Sequence, residues 1–366
     1  MWTDFFIKLA LAGIFLGAVL SLAGLLTWVE RKQSAVMQDR VGANRAWILF
    51  PRWLAPLNWL MAPFNALGIF HAIADAVKMF VKEDFTPKGA DRFLFTLAPA
   101  ISVVFALLAF AAIPFGDVLH IGTRTINLQV ADINAGLLFV FAMMSLGVYG
   151  VILAGFSSDN HYAFLGSMRS ASQMLSYEIT MGISVMGVGL VYGTLSLQEI
   201  VRAQGQVWGI FVQPVAFILF MTAALAETKR VPFDLPEGES EIVGYFVEYS
   251  GMKFGMFFLT DLIETVLVAC LMTTFFLGGW QVPFLSADGF HWPWGASSLI
   301  SHPVVVILQV ASFIFKVGFF NWLFMQIRWT LPRFRYDQLM HLGWKILFPV
   351  SIINVIVTSI VVVMRS

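Results

Sequence analysis

The sequence has a single cysteine, Cys270, set inside an apolar run. It can form neither an intrachain disulfide nor a metal site by itself. The six histidines (71, 120, 161, 291, 302 and 341) are scattered, with no HxxxH or CxxC spacing, so no metal or haem is assigned. Neither GxGxxG nor GxxxxGK[ST] occurs, which removes the nucleotide sites those motifs mark. Charged residues make up only 12%, and the formal net charge is zero, so nothing points to nucleic acid. No linker, repeat or low-complexity segment divides the 366 residues, which are read as one domain.

What the chain has in quantity is apolar sequence. Hydrophobic residues make up 59%, and the mean hydropathy is +0.81. That composition predicts an all-α, polytopic membrane protein, because apolar runs of this length span a bilayer as helices. A β-barrel would show short alternating segments instead. Eight spans are expected, at roughly 5–28, 93–113, 133–154, 170–191, 208–226, 253–277, 303–326 and 344–363. The first is read as a retained helix rather than a signal peptide.

Lys and Arg crowd the odd-numbered connections. Arg31, Lys32, Arg40, Arg45, Arg52, Lys78, Lys82, Lys88 and Arg92 follow the first span, and Arg328, Arg333, Arg335 and Lys345 follow the seventh. The opposite side has only Lys8, Arg124, Arg202 and Arg365. The positive-inside rule then predicts that odd connections face the cytoplasm or matrix and both termini face outward. The outward loop 281–302, with Trp292 and Trp294, is read as interfacial aromatic anchoring.

The first cytoplasmic connection is long, about 60 residues. Its second half places His71, Asp75, Lys78 and Lys82 on one helical face. The second half, Trp59 to Lys82, is apolar but interrupted by Pro63, and is read as an amphipathic helix at the interface rather than a further span, serving either as an anchor or as one wall of a cavity.

The stretch AETKRVPFDLPEGESEIVGYFVEYSGMKFG, from Ala226 to Gly255, concentrates Glu227, Asp234, Glu237, Glu239, Glu241 and Glu248 against Lys229, Arg230 and Lys253. Pro232 and Pro236 forbid a regular helix in its first part. Glu237, Glu241 and Glu248 would share one face of a following helix, with Tyr245 between them. A solvated loop would account for the acids alone, but here they are interleaved with Val, Phe and Tyr. More carboxylates lie within spans: Glu178 beside Tyr177 in the fourth, behind Arg169, and Asp261 with Glu264 in the sixth. Each costs up to ~3 kcal/mol there unless paired or protonated, which makes it a functional candidate. A bare structural reading allows Lys316 in the seventh to pair with one of these acids, and Glu264 is expected either to pair with it or to be neutral. Carboxyl groups in an apolar setting bind protons more tightly and titrate together, so such a cluster can take up and pass protons. An independent ion transporter is a competing reading of the same acids, although neither inverted repeats nor paired broken helices are seen.

Four segments carry a family resemblance: WVERKQSAVMQDRVGANR from Trp28 to Arg45, ADAVKMFVKED from Ala74 to Asp84, QMLSYEI from Gln173 to Ile179, and AETKRVPFDLPEGESEIVGYFVEYSG from Ala226 to Gly251. Over essentially its whole length the chain resembles the quinone-chamber membrane subunit of respiratory complex I. This is the H-type subunit of NADH-quinone oxidoreductase in bacteria, and mitochondrially encoded subunit 1 in animals. Membrane-anchor subunits of related hydrogenases resemble the ET-R-PFD portion but lack the EGESE continuation. They remain the alternative.

The resemblance implies a subunit of a proton-pumping NADH:quinone oxidoreductase, with no redox chemistry from this chain alone. It implies that Glu30, Arg31, Arg40, Asp75, Lys78 and Asp234 border a quinone access tunnel against the peripheral arm. It also implies that Arg169, Tyr177, Glu178, Glu227, Glu237, Glu239, Glu241, Glu248, Asp261 and Glu264 serve proton coupling. Quinone is the substrate, and this chain is expected to bind no metal or covalent cofactor. FMN and iron–sulfur clusters are expected in partners, which include the peripheral-arm quinone-site and terminal-cluster subunits and small membrane-arm subunits. Lipid surrounds the chain. The setting implied is the bacterial inner membrane, or the mitochondrial inner membrane for an organellar source. The family usually has proline where Ala43 stands, Glu where Asp261 stands, and an amide where Glu264 stands.

Overall fold

The structure is a computed structural model that describes residues 2–121, 124–205, 207–235, 242, 244–286, 289–292 and 297–365. Helix α1 (Trp2–Met37) leads into a connection containing α2 (Ala55–Leu67) and α3 (His71–Val81). Then follow α4 (Arg92–Ala109), the hairpin β1 (Val118–Ile121) and β2 (Arg124–Asn127), α5 (Gly136–Ser157), α6 (His161–Tyr192), α7 (Leu197–Ala203), α8 (Gly209–Val212) and α9 (Pro214–Glu227). Beyond the acidic stretch come α10 (Gly251–Phe276), strands β3 (Leu285–Ser286), β4 (Gly289–His291) and β5 (Ser297–Leu299), α11 (His302–Thr330), α12 (Tyr336–His341) and α13 (Phe348–Arg365).

Among the described residues, seven helices are long and apolar enough to cross a membrane, or eight if the bent pair formed by α2 and α3 counts as one span. The chain is thus the polytopic α-helical protein its composition predicts. The position of the fifth span differs from expectation. Residues 208–226 form the short α8 and the 14-residue α9, separated at Gln213 (φ −133, ψ 61). Pro214 cannot donate to the preceding turn, so the helix restarts there. At 1.5 Å per residue, α9 covers about 21 Å of a hydrocarbon layer about 30 Å thick.

Helix α10 is the axis of the bundle. Every residue from Thr260 to Phe276 is buried, as expected for a helix apolar on all faces. It packs against α4, α11, α1, α3 and α9. The other long spans mix buried and exposed residues. Their contacts are close where small residues meet: a Cβ on Gly150 of α5 would lie 2.1 Å from Ser102 Oγ of α4.

Local signals set the helix ends. Asp91 accepts from the backbone N–H of Phe93 and Leu94 at the start of α4, and Asn160 from Tyr162 at the start of α6. Between α2 and α3 the chain bends by 85°. Gly68 makes the bend with φ +73, and a Cβ there would stand 2.0 Å from Ala43 O. The single amphipathic helix expected over Trp59–Lys82 is therefore divided at Gly68, not at Pro63, which lies inside α2; His71, Asp75 and Lys78 fall on α3, lying across the direction of α2. Trp28 Nε1 donates to Leu67 O (2.8 Å), holding this corner against α1.

Two further features depart from expectation. The connections hold small antiparallel sheets, β1–β2 and β3–β4–β5, the latter within the loop read only as aromatic anchoring. In addition, α6 begins well before its predicted boundary, at His161, so Glu178 sits near its middle.

A lined cavity and a buried chain of charges

Three helices line a half-open cavity of about 270 Å³. α1 contributes Gly24, Thr27 and Arg31, and α3 contributes Ala72, Asp75, Ala76, Lys78, Met79 and Phe80. α10 contributes Met252, Phe254, Gly255, Phe258, Leu259 and Leu262. The wall is mostly apolar, with Thr27, Arg31, Asp75 and Lys78 its polar members. Arg31 Nη2 meets Asp75 Oδ2 at 2.6 Å, with Lys78 one turn further along α3. Such a site suits an apolar molecule with a polar end. The residues that make it come from three segments far apart in the chain, which is why spacing alone gives only the α3 side.

Of the other residues expected at this site, Glu30 lies behind the wall rather than in it. Its carboxylate accepts from Arg230 Nη1 (3.1 Å) and from Arg328 Nη1, so one acid ties the end of α1 to the turn after α9 and to the end of α11. Arg40 and Asp234 do not line the cavity. Arg40 lies just beyond α1, where its Nε donates to Gln38 (2.7 Å), and Asp234 is half-buried in the turn after α9.

The second group of residues is a buried run of charges beside the cavity. Lys229 Nζ stands 2.8 Å from Asp261 Oδ1 and 3.4 Å from Glu264 Oε2. All three are nearly inaccessible, at 3%, 6% and 8% exposure. Asp261 and Glu264 share a face of α10 because they are three residues apart. Burial alone would lower the Lys229 ammonium's pKa. The two carboxylates, with the Tyr245 ring 6.0 Å away, outweigh it and hold the group well above its ordinary 10.5.

Lys316 is not the partner of these acids, contrary to expectation. Its ammonium donates to the carbonyls of Leu277 (2.8 Å), Gly279 (2.9 Å) and Gln281 (2.6 Å), near the end of α10. It satisfies oxygens left open where the helix stops.

Glu227, at the end of α9, is 1% exposed and lies within electrostatic reach of Glu178, Glu264 and Lys229. Glu178 is 8% exposed and accepts from Ser145 Oγ of α5. It borders a groove of about 380 Å³ between α5 and α6. Tyr177 faces the other way and donates to Leu339 O (2.8 Å), while Arg169 lies over the ring of Tyr336 at 5.6 Å. Glu248 accepts from Asn160 Nδ2 (2.7 Å). The expected helix carrying Glu248 is absent: among the described residues of 242–250 the chain forms turns. Glu237, Glu239 and Glu241 lie outside the described residues.

Sequence reasoning misses Arg230, Arg328, Lys229, Ser145 and Gln173 as members of this site. Gln173 is fully buried, and its Nε2 donates to both Ala226 O (2.7 Å) and Phe233 O (2.6 Å), closing the turn after α9. The only available signal is a polar side chain within an apolar helix face.

A profile of the family described as NADH dehydrogenase matches residues 9–359. The chain is 43% identical over 363 residues to an H-type subunit of the NADH-quinone oxidoreductase of Geobacter metallireducens, covering 99% of this chain and 98% of that one. It is 46% identical over 342 residues to an H-type subunit of the Geobacter sulfurreducens enzyme, covering 93% and 92%. It is 42% identical over 371 residues to the H-type subunit of the Thermomicrobium roseum enzyme, covering 98% and 97%.

Proposed function

The chain belongs to the NADH dehydrogenase family as a multi-pass, H-type membrane subunit of NADH-quinone oxidoreductase, and we propose that it supplies that complex with its quinone access tunnel and the first carboxylates of a proton path. The observation that carries this reading is the cavity between α1, α3 and α10. It has apolar walls for an isoprenoid tail and the Arg31–Asp75 pair with Lys78 for a polar headgroup. α3 has no buried residue among those described, and Ile73, Val77, Phe80 and Val81 stand exposed. Large exposed apolar residues on one helix fit lipid and neighbouring subunits rather than water.

In this reading the chain performs no electron transfer. Flavin and iron–sulfur centres reside in partner subunits, and the peripheral arm closes the tunnel beside the acidic stretch on the cytoplasmic or matrix side. The chain's own residues bind the tail, hold the headgroup end by charge and hydrogen bonds, and keep a buried carboxylate set next to the cavity. Glu30 with Arg230 connects the wall to Lys229, Asp261 and Glu264, and Glu227 leads on toward Glu178. Buried acids within reach of one another exchange protons as a group, which is the property a coupling path needs. The host membrane is the bacterial inner membrane, or its mitochondrial counterpart.

The test is labelling of the intact complex with a photoreactive benzoquinone bearing a long tail. Adducts on α3 and α10 near Met79 and Phe258, suppressed by excess unlabelled quinone, support the reading. Labelling confined to other subunits, or insensitive to competition, contradicts it.

A further inference from the structure

Lys229 and Arg230 are consecutive, yet they serve different acids. Arg230 reaches Glu30, the residue before cavity-lining Arg31, while Lys229 reaches Asp261 and Glu264 on α10. Lys229 has φ +54, a left-handed backbone that a non-glycine residue enters at a cost and keeps only when its surroundings hold it there. The turn is held by Gln173 on Ala226 and Phe233, and by Phe334 N–H on Pro232 O (3.0 Å). The charged and titratable groups facing Lys229 are Asp261 and Glu264 from α10, Glu227 from α9 and Tyr245 from the stretch before α10. Since those carboxylates keep the ammonium charged far above neutral pH, its positive charge can leave the site only by moving.

We propose that Lys229 is a positioning residue of the coupling step. It is a fixed positive charge, tethered to the cavity through Arg230 and Glu30, and its seat between Asp261 and Glu264 sets how many protons that pair holds. The proposal rests on the reading of the α1–α3–α10 cavity as the quinone site. With Lys229 seated, two carboxylates one turn apart share a counter-ion. When a cavity occupant displaces Glu30 and Arg230, the dipeptide carries Lys229 with it. Two neighbouring buried carboxylates then lack compensation, and like charges in a low-dielectric site do not both stay ionised. The pair takes one proton from water, converting a carboxylate to a carboxylic acid. Return of Lys229 expels that proton back to water.

The test is infrared difference spectroscopy of the intact complex with and without a decyl-tailed benzoquinone, whose binding is measured in parallel. The wild type is expected to gain a carboxylic-acid C=O band on binding, and Glu264→Gln to lose at least about half of it. Lys229→Gln is expected to carry the band before ligand is added, so the difference vanishes although the quinone still binds. Lys229→Arg offers a guanidinium fork to both carboxylates at once and is expected to shrink the band; this variant decides the matter if Lys229→Gln does not assemble. A wild-type difference spectrum unchanged by Glu264→Gln, or an undiminished band in Lys229→Arg, overturns the proposal. Quinone binding that ignores substitutions in the cavity wall overturns the underlying reading instead, whatever the band does.

Discussion

Arg31 and Asp75 meet at 2.6 Å across the cavity, one from the last turns of α1 and the other from α3, and both side chains line it. Their side chains remain 47% and 31% exposed, so the pair adds little to stability, on the order of 0–1 kcal/mol. Its value lies in orienting charge at the polar end of an apolar slot. Asp75→Asn should therefore leave assembly and thermal midpoint unchanged. It should raise the KM for a tailed quinone several-fold, about 3–10 times. Steady-state kinetics on the purified complex, beside a thermal melt, separates these effects. A lowered midpoint with unchanged KM would mean that the pair is only a clip between helices.

Glu30 is a different case, because its carboxylate is 14% exposed and serves both Arg230 and Arg328. Replacing it with Gln leaves two half-buried guanidinium groups without a counter-ion. The expected loss is on the order of 3 kcal/mol. Reduced yield of assembled complex and a lower midpoint follow, with Glu30→Asp intermediate. Blue-native electrophoresis of membranes measures the first, and wild-type yield from Glu30→Gln would refute the tie.

Gln173→Ala removes both donors that close the turn after α9. Two buried carbonyls lose partners, at about 1–3 kcal/mol each. Protease cleavage within residues 228–250 should become faster while α6 keeps its helicity. Equal cleavage rates in the two proteins would count against this role.

How much of this can be read from the sequence depends on distance along the chain. Asp261 and Glu264 announce their shared face through a three-residue interval, and α3 announces its polar face in the same way. Glu30 does not, because its partners lie 200 and 298 residues away. Its position after Trp28 suggests an interfacial helix end, whereas α1 runs on to Met37: Glu30, Arg31 and Lys32 are good helix formers, Glu30 is neutralised by two distant arginines, and Arg31 by Asp75. Charge alone matches Lys316 to an acid. Backbone carbonyls, which have no sequence signature, hold it instead. Lys229 reads as one of three cations in the acidic stretch, and only its left-handed backbone and the bundle behind it reveal that it points inward.

The same pairing fixes a pH dependence. The folded-state pKa of Lys229 lies above its unfolded value. Its stabilising contribution is therefore complete below about pH 10 and is lost only as pH climbs through the raised value. The thermal midpoint of the complex should accordingly show no alkaline fall between about pH 6 and 9 that is absent in Lys229→Arg. Melts of the two proteins across that range check the point, and an alkaline fall present only in the wild type would contradict it.

Gly24 offers the most direct measurement of whether a quinone tail occupies the cavity between α1, α3 and α10. Gly24 forms part of the α1 wall, and a Cβ placed there meets nothing within 4 Å, so a larger side chain extends into open space without forcing the helices apart. The measurement is the KM of the assembled Gly24→Leu complex for a decyl-tailed benzoquinone, with NADH oxidation by a water-soluble acceptor as control. A tail seated in the cavity should raise this KM about ten-fold or more, with the control rate unchanged. An assembled Gly24→Leu complex with wild-type KM and turnover would place the quinone elsewhere.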